Sequence, residues 1–286
     1  MQRLPEYLKR PIIDTDKTKT VRRILKNKCL NTVCEGARCP NKSECYSRNT
    51  ATFLIMGNVC TRNCRYCNIS TARPEILDST EPQRVADAIK ELKLKYAVIT
   101  SVTRDDLVDG GAQHFCNCIE EIRKISDAKI EILTPDFCSK GKFNQDALDL
   151  IIKSHPNVFN HNIETAKGLF KIARPQGNYD NSLRVLGYIK ENSNIITKSG
   201  MMIGLGEDFE QIEETFCDLK NVGVDIITVG QYIQPSKQHL SVQKFYSLEE
   251  FDNIKLLAKK IGFQNAQIGP LVRSSYQAMK SWQECL

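Results

Sequence analysis

The pattern that most limits the fold of this chain is a regular alternation of two kinds of segment. Apolar segments rich in β-branched residues, typical of buried strands, occur at residues 52–56, 96–102, 130–134, 158–163, 197–203 and 226–233. Segments with helical apolar spacing follow at residues 82–92, 112–125, 146–153, 182–191, 209–222 and 248–261. Six such units predict an α/β fold with parallel strands and crossover helices. The pattern alone leaves open a closed or partial barrel and a doubly wound sheet.

The chain has 286 residues, enough for one domain of barrel size with a large core. Its 41% of hydrophobic and 26% of charged residues are usual for a globular protein. No apolar run approaches the ~18 residues of a membrane span, and the N-terminus lacks the apolar core of a signal peptide. We therefore expect a soluble, cytoplasmic protein that does not engage a membrane.

The net charge of +6 is concentrated in the N-terminal arm. Residues 1–28 hold nine Lys or Arg against three acids, whereas the rest of the chain is balanced. We interpret the arm as a solvated extension, with steering of an acidic protein partner as the alternative. The basic residues lack interleaved aromatic residues, so nucleic acid is not an expected partner.

Six of the twelve cysteines lie between residues 34 and 67, in two groups of three. The groups are Cys34, Cys39 and Cys45, spaced x4 and x5, and Cys60, Cys64 and Cys67, spaced x3 and x2. Thiolates are preferred ligands of iron and zinc, and closed zinc sites and ordinary iron–sulfur carriers use four protein ligands. Each group is one ligand short. In a chain of this length the pattern favours a metalloprotein of a reducing compartment over a disulfide scaffold, and it predicts two inorganic centres.

The second group resembles the signature of the radical S-adenosylmethionine (SAM) enzymes, with Tyr66 in the aromatic position before the last cysteine. The resemblance implies a [4Fe–4S] cluster on Cys60, Cys64 and Cys67, whose remaining iron binds the amino and carboxylate groups of SAM. It also implies a partial six-stranded (β/α) barrel of the TIM type, with these cysteines on the loop after the first strand.

The first group, in its context of residues 34–41 and 44–45, resembles the auxiliary-cluster motif of the lipoyl synthases. Residues 269–276, Gly-Pro-Leu-Val-Arg-Ser-Ser-Tyr, match the C-terminal motif of the same family. In that family the second serine of the motif is the fourth ligand of the auxiliary cluster, which maps to Ser275. The resemblance extends from about residue 3 to about residue 280.

This resemblance implies three parts and a set of SAM contacts. An N-terminal cysteine-rich extension (1–48) carries the auxiliary motif, residues 49–265 form the barrel, and residues 266–286 close on the auxiliary cluster. Besides Tyr66, the implied SAM-binding residues are Gly110 and Gly111 after the second strand, and Glu164 at the end of the fourth. Arg174 is expected to pair with the methionine carboxylate, because a guanidinium binds carboxylate through two hydrogen bonds.

The implied reaction is the insertion of two sulfur atoms, at carbons six and eight, into an octanoyl chain bound to a lysine of a carrier protein. It would use two SAM molecules, two [4Fe–4S] clusters, and sulfur from the auxiliary cluster. The implied partners are octanoylated carrier domains, meaning the glycine-cleavage H protein or acyltransferase subunits of 2-oxoacid dehydrogenases. An electron donor and an iron–sulfur carrier for cluster repair complete the set.

Two other readings remain open at this point. Another radical SAM enzyme that inserts sulfur would act on a different substrate and would not need Ser275. An iron–sulfur electron carrier or a zinc-stabilised binding module would use four cysteines per site and would ignore SAM. The remaining cysteines are interpreted as small hydrophobic residues, and no histidine has the spacing of a paired metal ligand.

Overall fold

A computed structural model describes residues 3–11, 13–138 and 142–285. Within these ranges the chain divides into two compact units. The amino-side unit consists of residues 10–62 and 68–157, and the carboxyl-side unit consists of residues up to 9, 63–67 and those from 158 onward. Among the helices in the described ranges, none has the length and apolar character needed to span a bilayer.

The elements alternate along the chain. The α-helices are α1 Asp16–Asn27, α2 Val33–Gly36, α3 Lys42–Ser47, α4 Glu81–Glu91, α5 Ala112–Ile125, α6 Gln145–Ser154, α7 Phe170–Ala173, α8 Tyr179–Asn192, α9 Phe209–Asn221, α10 Leu248–Ile261 and α11 Ala278–Gln283. The strands are β1 Asn31–Thr32, β2 Thr52–Ile55, β3 Val59–Cys60, β4 Ser70–Thr71, β5 Tyr96–Ser101, β6 Lys129–Leu133, β7 Val158–Asn160, β8 Ile196–Ile203, β9 Ile226–Gln231 and β10 Asn265–Ile268. Short 3₁₀ turns cover Glu6–Leu8 and Lys167–Leu169.

The sheet of the amino-side unit has the strand order β1-β2-β5-β6, with β1 antiparallel to β2 and the other pairs parallel. Phe53 pairs with Ile99, and Ile99 pairs with Ile132, and all three side chains are fully buried. Helix α4 buries Val85 and Ile89. Each such side chain contributes about 1.5–3 kcal/mol when buried, so these rows form the core of the unit.

The sheet of the carboxyl-side unit has the order β7-β8-β9-β10, and every pair is parallel. Its helices begin at chemically defined caps. Asp208 and Gln211 form a capping box at the start of α9, and Ser247 and Glu250 form another at the start of α10. Helix α10 ends at Gly262, whose φ of 99° suits glycine.

The α/β class and the six predicted strand–helix units are confirmed, with boundaries shifted by a few residues at most. The basic arm differs from the expectation of a solvated extension. Residues 16–27 form α1, which starts with a capping box of Thr15 and Thr18 and buries Val21, Ile24 and Leu25. Its Lys and Arg side chains remain exposed, so only the charged face is solvated.

Candidate functional site

The first cysteine group lies on two short helices of the amino-side unit. Cys34 is in α2, Cys45 is in α3, and Cys39 is in the turn between them. The backbone N–H of Cys39 donates to the Cys34 carbonyl at 3.1 Å, and that of Cys45 donates to the Asn41 carbonyl at 2.9 Å. Arg38 takes a φ of 50° at the reversal. The two short helices and the turn between them bring the three thiols close enough to interact electrostatically.

Two of these thiols, those of Cys34 and Cys45, have raised pKa values. Burial raises the pKa of Cys34 to about 11 despite hydrogen bonds with Thr52, and the Cys39 thiol adds to the rise. Burial also raises the pKa of Cys45 to about 12, with further repulsion from Cys34 and Cys39. Three thiolates therefore require a compensating positive charge. An iron–sulfur cluster supplies that charge and prefers thiolate ligands, so the donor set fits such a group.

The spacing of the side chains is also relevant to the kind of centre. In the described part of the chain, no three His, Cys, Asp or Glu side chains are grouped as ligands of a single metal ion. In a cluster each thiolate binds a different iron, so its ligands lie farther apart than those of one ion. All twelve cysteines lie in the described ranges, and none forms a disulfide.

Cys60, at the end of β3, belongs to the amino-side unit and follows the first of the predicted strands. Its Sγ accepts the backbone N–H groups of Arg62, at 3.4 Å, and Thr103, at 3.3 Å. Thr61 donates its N–H to the Thr103 carbonyl at 3.1 Å and its hydroxyl to Asp105 Oδ2 at 2.9 Å. These hydrogen bonds fix the position of the sulfur, and hydrogen bonds to cysteine sulfurs are among the features that tune iron–sulfur centres.

Arg62 fixes the same loop through two carboxylates. Its Nε and Nη2 donate to Asp105 at 2.9 and 2.7 Å, and its Nη1 and Nη2 donate to Asp136 at 2.6 and 2.8 Å. The Arg62 side chain is only 5% exposed and that of Asp136 only 2%. Burial alone would lower the pKa of the guanidinium, but the hydrogen bonds with both carboxylates raise it instead. Arg62 is therefore a charged anchor beside Cys60.

Cys64 and Cys67 belong to the carboxyl-side unit. The Cys67 N–H donates to the Cys64 carbonyl at 3.0 Å, which forms a tight turn. Between them, Arg65 donates its N–H to the Ala173 carbonyl at 2.9 Å and accepts the Leu240 N–H at 3.0 Å. The turn that carries both thiols is thus bound on two sides by backbone hydrogen bonds.

A side chain that the sequence did not single out as functional supports this turn. His239 Nε2 lies 2.9 Å from the Cys67 carbonyl, and its Nδ1 lies 2.8 Å from Ser236 Oγ. Because a carbonyl only accepts, Nε2 carries a proton and donates to Cys67, and in the neutral ring Nδ1 then accepts from the serine hydroxyl. A cavity of about 380 Å³ lies beside the turn, lined by Asn63, Arg65, Pro175, Gln176, Gln238 and His239.

Three predicted SAM-binding residues meet in the carboxyl-side unit. Burial raises the pKa of Glu164, while the charge of Arg174 and hydrogen bonds from Asn162 and Tyr66 oppose that rise. Burial and the Glu164 carboxylate raise the pKa of Tyr66 well above its usual value. Arg174 also donates from Nη1 to the Asn162 carbonyl at 3.3 Å. An acid and a guanidinium held together in this way can bind the amino and carboxylate groups of an amino acid.

Gly110 and Gly111, also predicted to lie along SAM, are in the amino-side unit and have φ values of 61° and 91°. A Cβ on Gly111 would lie 2.3 Å from Met56 Sδ, and one on Gly110 would lie 3.2 Å from Phe137 Cα. Packing and backbone conformation therefore require glycine at both positions, independently of any ligand.

The C-terminal motif lies along strand β9. The Gly269 N–H donates to the Val229 carbonyl at 3.0 Å. A Cβ on Gly230 would be only 2.0 Å from the Val272 carbonyl oxygen, so the segment approaches the bare backbone of the strand. Ser275, the predicted fourth ligand of the auxiliary cluster, is partly buried in this segment.

Comparisons with known proteins agree with these features. The sequence model of the Radical SAM superfamily matches residues 54–230. Lipoyl synthase of Pseudoalteromonas translucida is 50% identical over 281 residues, which cover 97% of this chain and 87% of that protein. Lipoyl synthase of Caldanaerobacter subterraneus is 46% identical over 277 residues and 96% of both chains.

The chain belongs to the lipoyl synthase family. Members of this family are radical SAM enzymes that insert sulfur, and membership implies a [4Fe–4S] cluster and SAM. The fold agrees with that membership. The structure of Streptococcus suis SuiB bound to S-adenosylmethionine matches with a TM-score of 0.57 and 13% identity, over 80% of this chain and 54% of SuiB.

One testable consequence for this lipoyl synthase family member concerns the C-terminal segment. Gly230→Ala is expected to lower the free energy of unfolding by about 1–3 kcal/mol, because the methyl group would overlap a backbone oxygen that cannot turn away. Denaturant unfolding measures the loss, and limited proteolysis beyond residue 268 shows whether the segment is released. Gly187→Ala is the matched control, because its Cβ would lie 3.5 Å from Val222, an ordinary contact. Equal stability of the Gly230 variant and the wild type would contradict the expectation.

Proposed function

We propose that this chain inserts sulfur at carbons six and eight of an octanoyl group on a lysine of a carrier protein. The observation that carries the proposal is the presence of two separate groups of three thiols in a chain similar over nearly its full length to lipoyl synthases. Two groups allow one centre to activate SAM and another to supply sulfur.

We assign the binding of the SAM-activating [4Fe–4S] cluster to Cys60, Cys64 and Cys67. When bound with SAM, this cluster supplies a radical strong enough to remove hydrogen from an unactivated carbon, which no acid or base can do at neutral pH. Within the amino-side unit Arg62 anchors the loop that follows Cys60, and within the carboxyl-side unit His239 supports the turn that carries Cys67.

We assign the binding of SAM itself to Tyr66, Gly110, Gly111, Glu164 and Arg174. Glu164 would accept hydrogen bonds from the methionine amino group, and Arg174 would donate to its carboxylate. The proximity of the two side chains to each other and to Tyr66 supports this assignment.

The auxiliary cluster is a substrate of the proposed reaction, since its sulfide leaves with the product. We assign its binding to Cys34, Cys39, Cys45 and Ser275. A serine oxygen is a harder ligand than thiolate and suits iron–sulfur centres less well, so it can be released as the cluster is dismantled.

The proposed partners follow from membership of the lipoyl synthase family. Octanoylated domains of the glycine-cleavage H protein or of 2-oxoacid dehydrogenase acyltransferases provide the substrate. A reducing protein provides electrons, and an iron–sulfur carrier replaces the consumed cluster. Twelve cysteines outside disulfides are consistent with the reducing cytoplasm.

The test is an anaerobic reaction of the reconstituted protein with SAM, dithionite and an octanoyl-lysyl peptide. We expect a peptide carrying two sulfur atoms and two 5′-deoxyadenosine molecules per product, both measured by mass spectrometry. Cleavage of SAM without sulfur on this peptide would favour another radical SAM sulfur-inserting enzyme. Failure of the fully loaded protein to cleave SAM would refute the enzymatic proposal and favour an electron carrier.

A further inference from the structure

The C-terminal motif and the predicted SAM site are joined by a short chain of hydrogen bonds in the carboxyl-side unit. The Ser274 hydroxyl donates to Asn162 Oδ1 at 2.8 Å, and Asn162 Nδ2 donates to Glu164 Oε1 at 3.2 Å. Ser274 directly precedes Ser275 and is 112 residues from Asn162 in sequence. The contact therefore ties a distant segment to the end of β7.

The orientation of the Asn162 amide is determined by its two partners. The amide nitrogen faces Glu164 and donates to its carboxyl group, and the amide oxygen faces Ser274 and accepts from its hydroxyl. The serine hydroxyl, which can donate, satisfies that oxygen. Loss of the hydroxyl removes the group that holds the amide in the orientation useful to Glu164.

A glycine makes the meeting of these side chains possible. A Cβ on Gly200 of β8 would lie 2.6 Å from both Asn162 Oδ1 and Ser274 Oγ, and 2.9 Å from Thr228 Oγ1. Asn162 and Ser274 thus pack directly against the backbone of Gly200 in the middle of β8. Any larger residue would push Ser274 away from Asn162.

The backbone of Glu164 is held by the same strand. Its N–H donates to the Gly200 carbonyl at 2.9 Å, and its carbonyl accepts the Met202 N–H at 2.8 Å. Its φ of 71° is unusual for a residue other than glycine and persists only where the surroundings impose it. With the backbone fixed, the direction of the carboxylate is set by its side-chain partners, and the Asn162 amide is one of these, beside Tyr66 and Arg174.

We propose that Ser274 is a positioning residue that couples SAM binding at Glu164 to the seating of the segment that carries Ser275. The proposal rests on the assignment of Glu164 and Ser275 under the proposed function. Ordering of Glu164 by bound SAM favours the Asn162 orientation that receives Ser274, and the seated segment in turn favours the SAM-binding geometry. Coupling between two binding events is reciprocal, so each should strengthen the other.

The experiment compares Ser274→Ala with Ser241→Ala, an exposed serine of the same unit that lies outside both sites. SAM affinity is measured anaerobically on the cluster-loaded protein. We expect Ser274→Ala to weaken SAM binding about three- to tenfold, as for one lost hydrogen bond, and Ser241→Ala to leave it unchanged. Asn162→Ala should have a similar effect, and Ser274→Ala should add nothing to it, because both act through the same amide.

The second readout is hydrogen exchange of residues 269–276 with and without SAM. We expect SAM to slow exchange in this segment of the wild type and of Ser241→Ala, and to have no such effect in Ser274→Ala. Wild-type SAM affinity in Ser274→Ala, or equal protection by SAM in that variant, would overturn the coupling. So would additive effects of Ser274→Ala and Asn162→Ala.

The two proposals fail in different ways. If the wild type makes the dithiolated peptide and Ser274→Ala matches it in both readouts, only the coupling is wrong. If SAM protects the segment through Ser274 but no dithiolated peptide forms, the coupling stands and the proposed substrate is wrong. Far-UV circular dichroism of each variant identifies misfolding, and Ser274→Thr, which keeps a hydroxyl, should restore SAM affinity when Ser274→Ala remains folded.

Discussion

Alanine at Cys60 is expected to abolish formation of 5′-deoxyadenosine, whereas alanine at Cys39 is expected to leave much of it and to abolish sulfur insertion. The reason is the division of ligands between two centres. Cys60 is assigned to the SAM-activating cluster, and its Sγ accepts hydrogen bonds from two backbone N–H groups. Cys39 lies in the turn assigned to the sulfur-donating cluster. Chromatography of 5′-deoxyadenosine and mass analysis of the peptide measure the two outcomes separately.

The matched control is Cys29→Ser, because Cys29 is exposed and lies only five residues before Cys34. It should retain both SAM cleavage and sulfur insertion. Identical losses in the Cys60 and Cys39 variants would contradict the division of labour. Iron content measured on each variant separates that result from a general failure to load clusters.

The main elements of the fold were predictable because local chemistry defines them. Helix α10 was predicted at residues 248–261 and has those bounds, since Ser247 and Glu250 form its capping box and Gly262 ends it. Strand β10 was missed. Its four residues include Asn265 and Gln267, so it lacks the apolar run of a buried strand, and only pairing with β9 defines it.

The candidate site was predictable only in part, because a sequence pattern shows residues that are close along the chain and not contacts between distant ones. Cysteine spacing identifies the proposed ligands because they are close in sequence. Their supports are distant, as Arg62 is 74 residues from Asp136 and His239 is 172 residues from Cys67. No local pattern marks such pairs. A charged residue inside a cysteine motif, such as Arg62, is the one signal that could have suggested an anchoring role.

Arg62→Met is expected to lower the free energy of unfolding by about 3–5 kcal/mol. Asp136 is almost fully buried, and the substitution removes the guanidinium that donates two hydrogen bonds to it. A buried carboxylate that loses a compensating charge is strongly destabilising. Denaturant unfolding of the protein without clusters measures the loss, so cluster binding does not enter the result.

Two further variants decide whether charge compensation is the cause. Arg48→Met removes an exposed guanidinium that pairs with Glu44 at 2.9 Å, and it should cost at most about 0.5 kcal/mol. In the double variant Arg62→Met/Asp136→Leu the buried charge itself is gone, so most of the lost stability should return. A double variant no more stable than Arg62→Met would contradict charge compensation as the cause of the loss.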